Sequence, residues 1–316
     1  MRRVALIYNP ASGQHSKRRQ AAIDKALAVL REDGIEADAL ETLAPGSAGL
    51  QAEEAVRRGC DTIIACGGDG TVHEVLQSLV GTTVALGVVP LGTANALAAN
   101  LGLQTSPAKA VRRLMNAQPV RVPAGKISFR DTNGVMRSRY FTVAAGVGAD
   151  ALFLSRLDPV LKRRLGYLLY LIEGFRVWAT HSFPLFEAAF VEHEGAEPRV
   201  EQISQLLAIR IRNFGGVLNH FVPGATLHND GLRLVAFKTQ SRMRFFRFLL
   251  GAIFGRASFS DGIEMLDSVS VECRPCDGSA PQVLVEADGE LLGNLPVRIE
   301  VVPDAVTLLI PPDAKP

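Results

Sequence analysis

Cysteine is scarce: four among 316 residues are too few for the disulfide framework of a small secreted domain. Cys273 and Cys276 form one CxxC, without the second ligand pair that a structural zinc site needs, so the thiols read as reduced and packed. Long apolar runs are missing too. No stretch approaches the ~20 residues that span a bilayer. The apolar run in the opening MRRVALIYNP is too short for a signal-peptide core and ends in Asn-Pro, so it reads as a first strand. The expected location is therefore cytoplasmic or at a membrane surface. An excess of one charge is lacking as well, since 34 Lys and Arg against 32 Asp and Glu leave a net charge of +2. That excludes a general nucleic-acid binder and leaves any anionic partner to a local basic patch. Internal repeats and low-complexity linkers are absent.

What is present is an ordinary globular composition, 47% apolar and 21% charged, at a length suited to two domains. The chain is organised around GGDGT, Gly67 to Thr71. The apolar run Thr62 to Cys66 before it reads as a buried parallel strand, and Val72, Val75, Leu76 and Leu79 after it mark one helix face. Gly67, Gly68 and Gly70 at such a turn can take positive φ and let a ligand approach the backbone, while a helix N-terminus aims N–H groups at an anion. Phosphate suits that position. Asp69 would repel it unless a divalent cation or a transferable proton lay between them, which points to phosphoryl transfer. Taken alone, the pentapeptide is equally an Asp-Gly turn that reverses the chain.

Strands near Val4 to Tyr8, Glu36 to Leu40, Thr62 to Cys66 and Val84 to Val89 alternate with helices. The helices lie near Lys17 to Glu32 and Ala48 to Arg58, and after Thr71, Thr93 and the Ser106-Pro107 cap. This alternation predicts an α/β fold with a doubly wound parallel sheet, which binds ligands at the carboxyl ends of its strands. Asn9 to Gly13, Gly67 to Thr71 and Leu91 to Asn95 all fall at such ends. Beyond Arg121 the runs Lys126 to Phe129, Arg139 to Val147, Leu185 to Glu192, Gln205 to Arg212, Leu232 to Lys238, Val269 to Cys273, Val283 to Ala287 and Val297 to Val302 predict an antiparallel β-sandwich. The expected domains are 1–122 and 123–302, with a short connection at 121–126 and the active site in the cleft between them.

Two helical segments interrupt the second domain. About Pro159 to Thr180 carries Lys162, Arg163 and Arg164 ahead of an apolar stretch, and its Gly166 and Gly174 suggest close helix packing. Arg242 to Arg256 interleaves Arg242, Arg244, Arg247 and Arg256 with Phe245, Phe246, Phe248, Leu249, Leu250, Ile253 and Phe254. That pattern suits either a helix at an anionic membrane interface or a helix packed on the sandwich.

NPASG at Asn9 to Gly13, Thr42 with the following PGSA, GGDGTVHEV at Gly67 to Val75, PLGTANALA at Pro90 to Ala98 and EADGE at Glu286 to Glu290 together resemble the diacylglycerol kinase catalytic-domain family, which includes bacterial lipid kinases, sphingosine kinases and ceramide kinases. The resemblance spans nearly the whole chain. It implies a nucleotide-binding α/β domain, rejoined by a C-terminal strand at about 303–316, followed by a β-sandwich. It implies ATP contacts at Asn9, Ser12, Gly13, Thr42, Gly67, Gly68, Asp69, Gly70, Thr71, Val72, His73, Glu74 and Thr93. It assigns the catalytic base to Asp288 or Glu290, with Asp69 beside the phosphates, and a structural Mg²⁺ to Asp230 with the carbonyls of Leu227 and Leu232. Two carboxylates usual in such proteins are replaced here by Ala96 and Pro123.

The resulting expectation is an ATP- and Mg²⁺-dependent lipid kinase that phosphorylates a lipid hydroxyl at the inner membrane surface, without nucleic acid and compatible with a homodimer. The rival readings are an NAD kinase or phosphofructokinase-like enzyme of a soluble substrate, and a nucleotide-binding lipid sensor without turnover.

Overall fold

The structure, a computed structural model, describes residues 1–10, 16–131, 133–156, 167–214, 222–253, 262–276 and 282–314. The chain divides into two compact units, Met1–Ala124 with Asn213–Gly216 and Pro303–Pro316, and Gly125–Arg212 with Val217–Val302.

The first unit runs β1 (Arg3–Tyr8), α1 (Ser16–Glu32), β2 (Glu36–Glu41), α2 (Ser47–Arg57), β3 (Thr62–Gly67), α3 (Asp69–Leu79), β4 (Ala85–Pro90), α4 (Ala96–Asn100) and α5 (Pro107–Met115). Its sheet has the order β2-β1-β3-β4, and beside β4 lies the end of a late strand, β16 (Val297–Ile310). The pairings are parallel, with Val4 opposite Ala37 and Thr62, and Thr307 opposite Ala85. Every residue of β3 is buried, as the unbroken apolar run requires of a strand covered on both faces. The strand order reverses at β1, so the carboxyl ends of β1 and β3 flank a topological switch point, where doubly wound sheets bind ligands.

The second unit is a sandwich. One sheet has the order β12 (Ile263–Ser268), β11 (Leu232–Phe237), β10 (Gln205–Ile209), β7 (Ala144–Val147), β14 (Leu284–Ala287) and β15 (Glu290–Asn294), with antiparallel pairings throughout. The other is formed by β9 (Arg199–Ile203), β8 (Phe186–Val191), β13 (Ser270–Pro275) and the start of β16, with β5 (Gln118–Arg130) and β6 (Met136–Phe141) joined to it. Phe141, Phe186, Phe190, Leu206, Val271, Val285 and Ile299 fill the space between the sheets. A Cβ on Gly125 would lie 2.1 Å from the Phe141 ring, so only glycine lets that ring enter the core. Among the described residues three helices lie outside the sheets: α6 (Ala149–Ser155), α7 (Tyr167–Thr180) and α8 (Arg242–Ile253).

Several expectations change in detail. The expected connection at 121–126 lies within one strand, β5, whose prolines, Pro119 and Pro123, are compatible with a sheet margin. The run Arg139 to Val147 splits into β6 and β7, for a reason found at the site below. Strands β9, β12 and β15 and helix α6 were not foreseen. A Cβ on Gly174 would meet Phe153 only at ordinary contact, 3.8 Å, so close packing does not demand that glycine. Gly166 and the basic run Lys162 to Arg164 lie outside the described residues. The cysteines are free thiols, and burial pushes Cys66 and Cys273 well above the usual thiol range, which makes them packing residues.

Candidate active site

At the carboxyl edge of the parallel sheet, backbone bonds stitch the loops to one another. Asn9 N–H donates to the Cys66 carbonyl at 3.1 Å, Thr42 N–H to Tyr8 at 2.9 Å and Leu91 N–H to Gly67 at 2.8 Å. The segments after β1, β2, β3 and β4 are thereby linked in the order of their strands. Helix α3 opens at Asp69 directly after this edge, and a helix N-terminus presents N–H groups to an anion.

The glycines act here by closeness rather than by handedness. Gly67, Gly68 and Gly70 are not among the positive-φ residues; Gly68 is extended, with φ −89° and ψ −173°. A Cβ on Gly92 would stand 2.5 Å from Gly68 Cα, so the GGDGT and PLGTAN loops touch backbone to backbone. A Cβ on Gly67 would fall 2.3 Å from Thr71 Oγ1.

Asp69 ties the same two loops together. Its Oδ2 accepts the Asn95 N–H at 2.9 Å and its Oδ1 the Ala96 N–H at 2.7 Å, so the carboxylate seats the start of α4. Asn95, which the sequence reading did not assign to the site, adopts φ 50°. Its amide closes the loop on itself, accepting from Gly92 N–H and donating to the Gly92 carbonyl, both at 2.8 Å. The helix expected after Thr93 therefore begins at Ala96, and Thr93 is exposed ahead of it. Glu74 serves a neighbouring loop, accepting from Gly46 N–H at 2.8 Å and Ala48 N–H at 3.1 Å, which holds α2 and the segment after Thr42. Thr71, Val72 and His73 are buried in the first turns of α3. Ser12 and Gly13 lie outside the described residues.

In the second unit the Asp-Gly-Glu motif is a two-residue hairpin between β14 and β15, with Asp288 at φ 48° and Gly289 at φ 88°, the backbone such a turn favours. Asp288 is buried. Its Oδ2 accepts from Thr142 N–H at 2.9 Å, and its Oδ1 from Val143 at 2.9 Å and Ala144 at 3.1 Å. These bonds explain why β6 and β7 are separate: their junction turns its N–H groups onto a carboxylate instead of a strand. Glu290 is exposed. Glu286, buried on β14, accepts from Gly289 N–H at 2.9 Å. Its cross-strand neighbour is Gly146, and the missing Cβ there leaves room for Asp150, whose Oδ2 lies 1.3 Å from the position a Cβ would take. Gln205 Nε2 donates to Asp150 Oδ1 at 2.6 Å. Burial and the mutual repulsion of these acids push Glu286 well above the usual carboxyl range, and burial pushes Asp150 up to about 6. Asp150 carried no motif in the sequence, and only the pairing of β7 with β14 reveals it.

A family profile described as the diacylglycerol kinase catalytic domain matches residues 3–127, and one described as the YegS C-terminal NAD kinase beta sandwich-like domain matches residues 142–310. The chain belongs to the diacylglycerol kinase family. It is 30% identical over 98% of its length to the probable lipid kinase YegS of Salmonella paratyphi A, covering 96% of that protein. It is 27% identical to the diacylglycerol kinase of Bacillus subtilis, over 94% of this chain and 92% of that one. In fold it is similar to a diacylglycerol kinase from Bacillus anthracis, with a TM-score of 0.72, 20% identity and coverage of 99% and 98%. Yeast NADH kinase complexed with NADH superposes less well, with a TM-score of 0.51, 10% identity and coverage of 98% and 83%.

As a member of the diacylglycerol kinase family the chain carries a kinase catalytic domain. Leu232, nominated with Asp230 and Leu227 for a structural Mg²⁺, opens β11 opposite Ser268. The Leu227 carbonyl accepts a hydrogen bond from the buried Arg210 at 3.1 Å, and Asp230 is exposed. Among the described residues no helix is long and apolar enough to cross a membrane.

Proposed function

We propose that this protein is an ATP-dependent lipid kinase that transfers the γ-phosphoryl group to a lipid hydroxyl. The observation that carries the reading is the set of joined loops at the carboxyl edge of the parallel sheet, where the backbones after β3 and β4 come close enough to exclude a Cβ. The residues available to the nucleotide are Asn9, Ser12, Gly13, Thr42, Gly67 to His73 and Thr93, with Glu74 holding the adjoining loop. Mg²⁺ arriving with the phosphates would neutralise charge, because magnesium is usually held by few carboxylates together with substrate phosphates. Asp69 fixes the phosphate loop and contributes negative charge beside it.

In the reaction the lipid oxygen forms a bond to the γ-phosphorus, the bond from that phosphorus to ADP breaks, and the hydroxyl proton passes to a carboxylate. Phosphoryl transfer asks mainly for positioning. Asp288, held by three backbone donors, is a fixed acceptor, and exposed Glu290 is the alternative two residues on. Exposed Phe175 on α7 and Met243 and Phe246 on α8, with exposed Arg244 and Arg247 beside them, support peripheral docking on an anionic membrane, where a lipid substrate would reside.

Kinetics on mixed lipid vesicles test the reading. Asp288→Asn is expected to keep nucleotide affinity and to lower kcat by ~10²- to 10⁴-fold. If only Glu290→Gln has that effect, the base moves to Glu290. Full activity in both variants would reduce the motif to a turn and remove the carboxylate base.

A further inference from the structure

Val222 to Gly231, ahead of β11, lies outside helix and strand. Carbonyls gathered in such a segment need donors or a cation, and here this chain's own side chains supply them. Arg210, just beyond β10, is only 1% exposed. Its Nη1 donates to the Gly231 carbonyl at 3.0 Å and its Nη2 to Leu227 at 3.1 Å. Arg233 on β11 reaches back with Nε to the Pro223 carbonyl at 3.1 Å, while its Nη1 pairs with Asp267 at 2.6 Å. Asn229 Nδ2 donates to Gly224 at 3.2 Å.

The resemblance assigns a structural Mg²⁺ to this same segment. A divalent ion on the Leu227 carbonyl would meet a guanidinium already at hydrogen-bond distance from that oxygen, and like charges so close repel strongly in a buried site. A guanidinium is a permanent cation at neutral pH. We propose that Arg210 is the resident cation of the 222–231 segment, taking the place given to Mg²⁺, and that the stability of the sandwich is independent of divalent metal.

The test is thermal melting of the full chain without nucleotide, in EDTA and in excess MgCl₂, together with metal analysis of the purified protein. The readout is stability, so its outcome is separate from that of the kinase reading. The wild type is expected to melt at the same temperature in both buffers and to carry no stoichiometric Mg²⁺, and Asp230→Asn to match it. Arg210→Met removes the donors of the buried Leu227 and half-buried Gly231 carbonyls and should lower the midpoint by on the order of 5 °C, with Arg210→Lys in between. A wild-type midpoint that falls in EDTA, with the fall abolished in Asp230→Asn, would overturn the proposal, as would an Arg210→Met variant as stable as the wild type. If Arg210→Met does not fold, the wild-type comparison in EDTA and MgCl₂ decides alone.

Discussion

At the residue scale, the glycines of the GGDGT and PLGTAN loops and the acids under the Asp-Gly-Glu turn make separable demands. Gly92→Ala places a Cβ against Gly68 Cα and within 2.9 Å of Asn95 Oδ1, and backbone cannot swing aside as a side-chain tip can. The loops must part, and nucleotide affinity measured by calorimetry should fall at least ~10-fold. Unchanged affinity in a folded variant would show that the contact does not shape the site. Glu286 and Asp150 are acids whose folded values are raised, so each favours the folded state fully below its unfolded value of about 4 and loses that contribution as pH rises. The loss runs through about 6 for Asp150 and higher for Glu286. The groups facing Glu286 are Asp150 from α6 and Asp288 and Glu290 from its own hairpin, with Gln205 of β10 on Asp150. Glu286→Gln keeps an acceptor for Gly289 N–H without the titration, so its melting temperature should decline less than that of wild type between about pH 5 and 8. Parallel curves would contradict the assignment. GGDGT was legible because glycine and helical periodicity are local signals. The partners of Asp69 and Glu74 were not, since they lie 26 to 28 residues away in sequence.

At the scale of the element, α8 packs along one face and exposes another. Phe248 is buried, packed edge-on against Phe237 at 5.0 Å, and Phe245 stacks near Phe183 at 5.1 Å. Met243, at 60% exposure, Phe246 and Leu250 face outward with Arg244 and Arg247 among them. Trp178 of α7 joins the helices, its Nε1 donating to the Arg242 carbonyl at 2.9 Å and its ring lying 5.3 Å from Phe246. Phe175, 62% exposed, and Ile172 extend the apolar surface along α7. Packing alone does not call for aromatic residues on the outer face, whereas an interface helix does. Arg244→Glu with Arg247→Glu should cut binding to anionic vesicles steeply, as each basic residue there contributes ~1 kcal/mol. Activity on vesicles should fall more than activity on dispersed short-chain lipid, and equal losses on both would argue for packing alone. The amphipathic pattern was visible in the chain. The joining role of Trp178 was not, because it depends on an element 64 residues away.

On the scale of the whole molecule, both architectures were readable because their periods differ: buried runs alternating with helices in the first unit, and short strand-like runs in the second. The divisions between runs were harder to read. Strand β16 is continuous from Val297 to Ile310, antiparallel to β13 at its start and parallel to β4 at its end, and no local signal tells a strand that its partner changes. The joined loops of the first unit and the anchored carboxyl turn of the second support phosphoryl transfer to a lipid hydroxyl. Mass spectrometry after incubation with γ-labelled ATP, Mg²⁺ and either mixed lipid vesicles or NAD tests this most directly. The account requires the label in a phosphorylated lipid and none in the dinucleotide; label in the dinucleotide, or nucleotide binding with no labelled lipid, would contradict it.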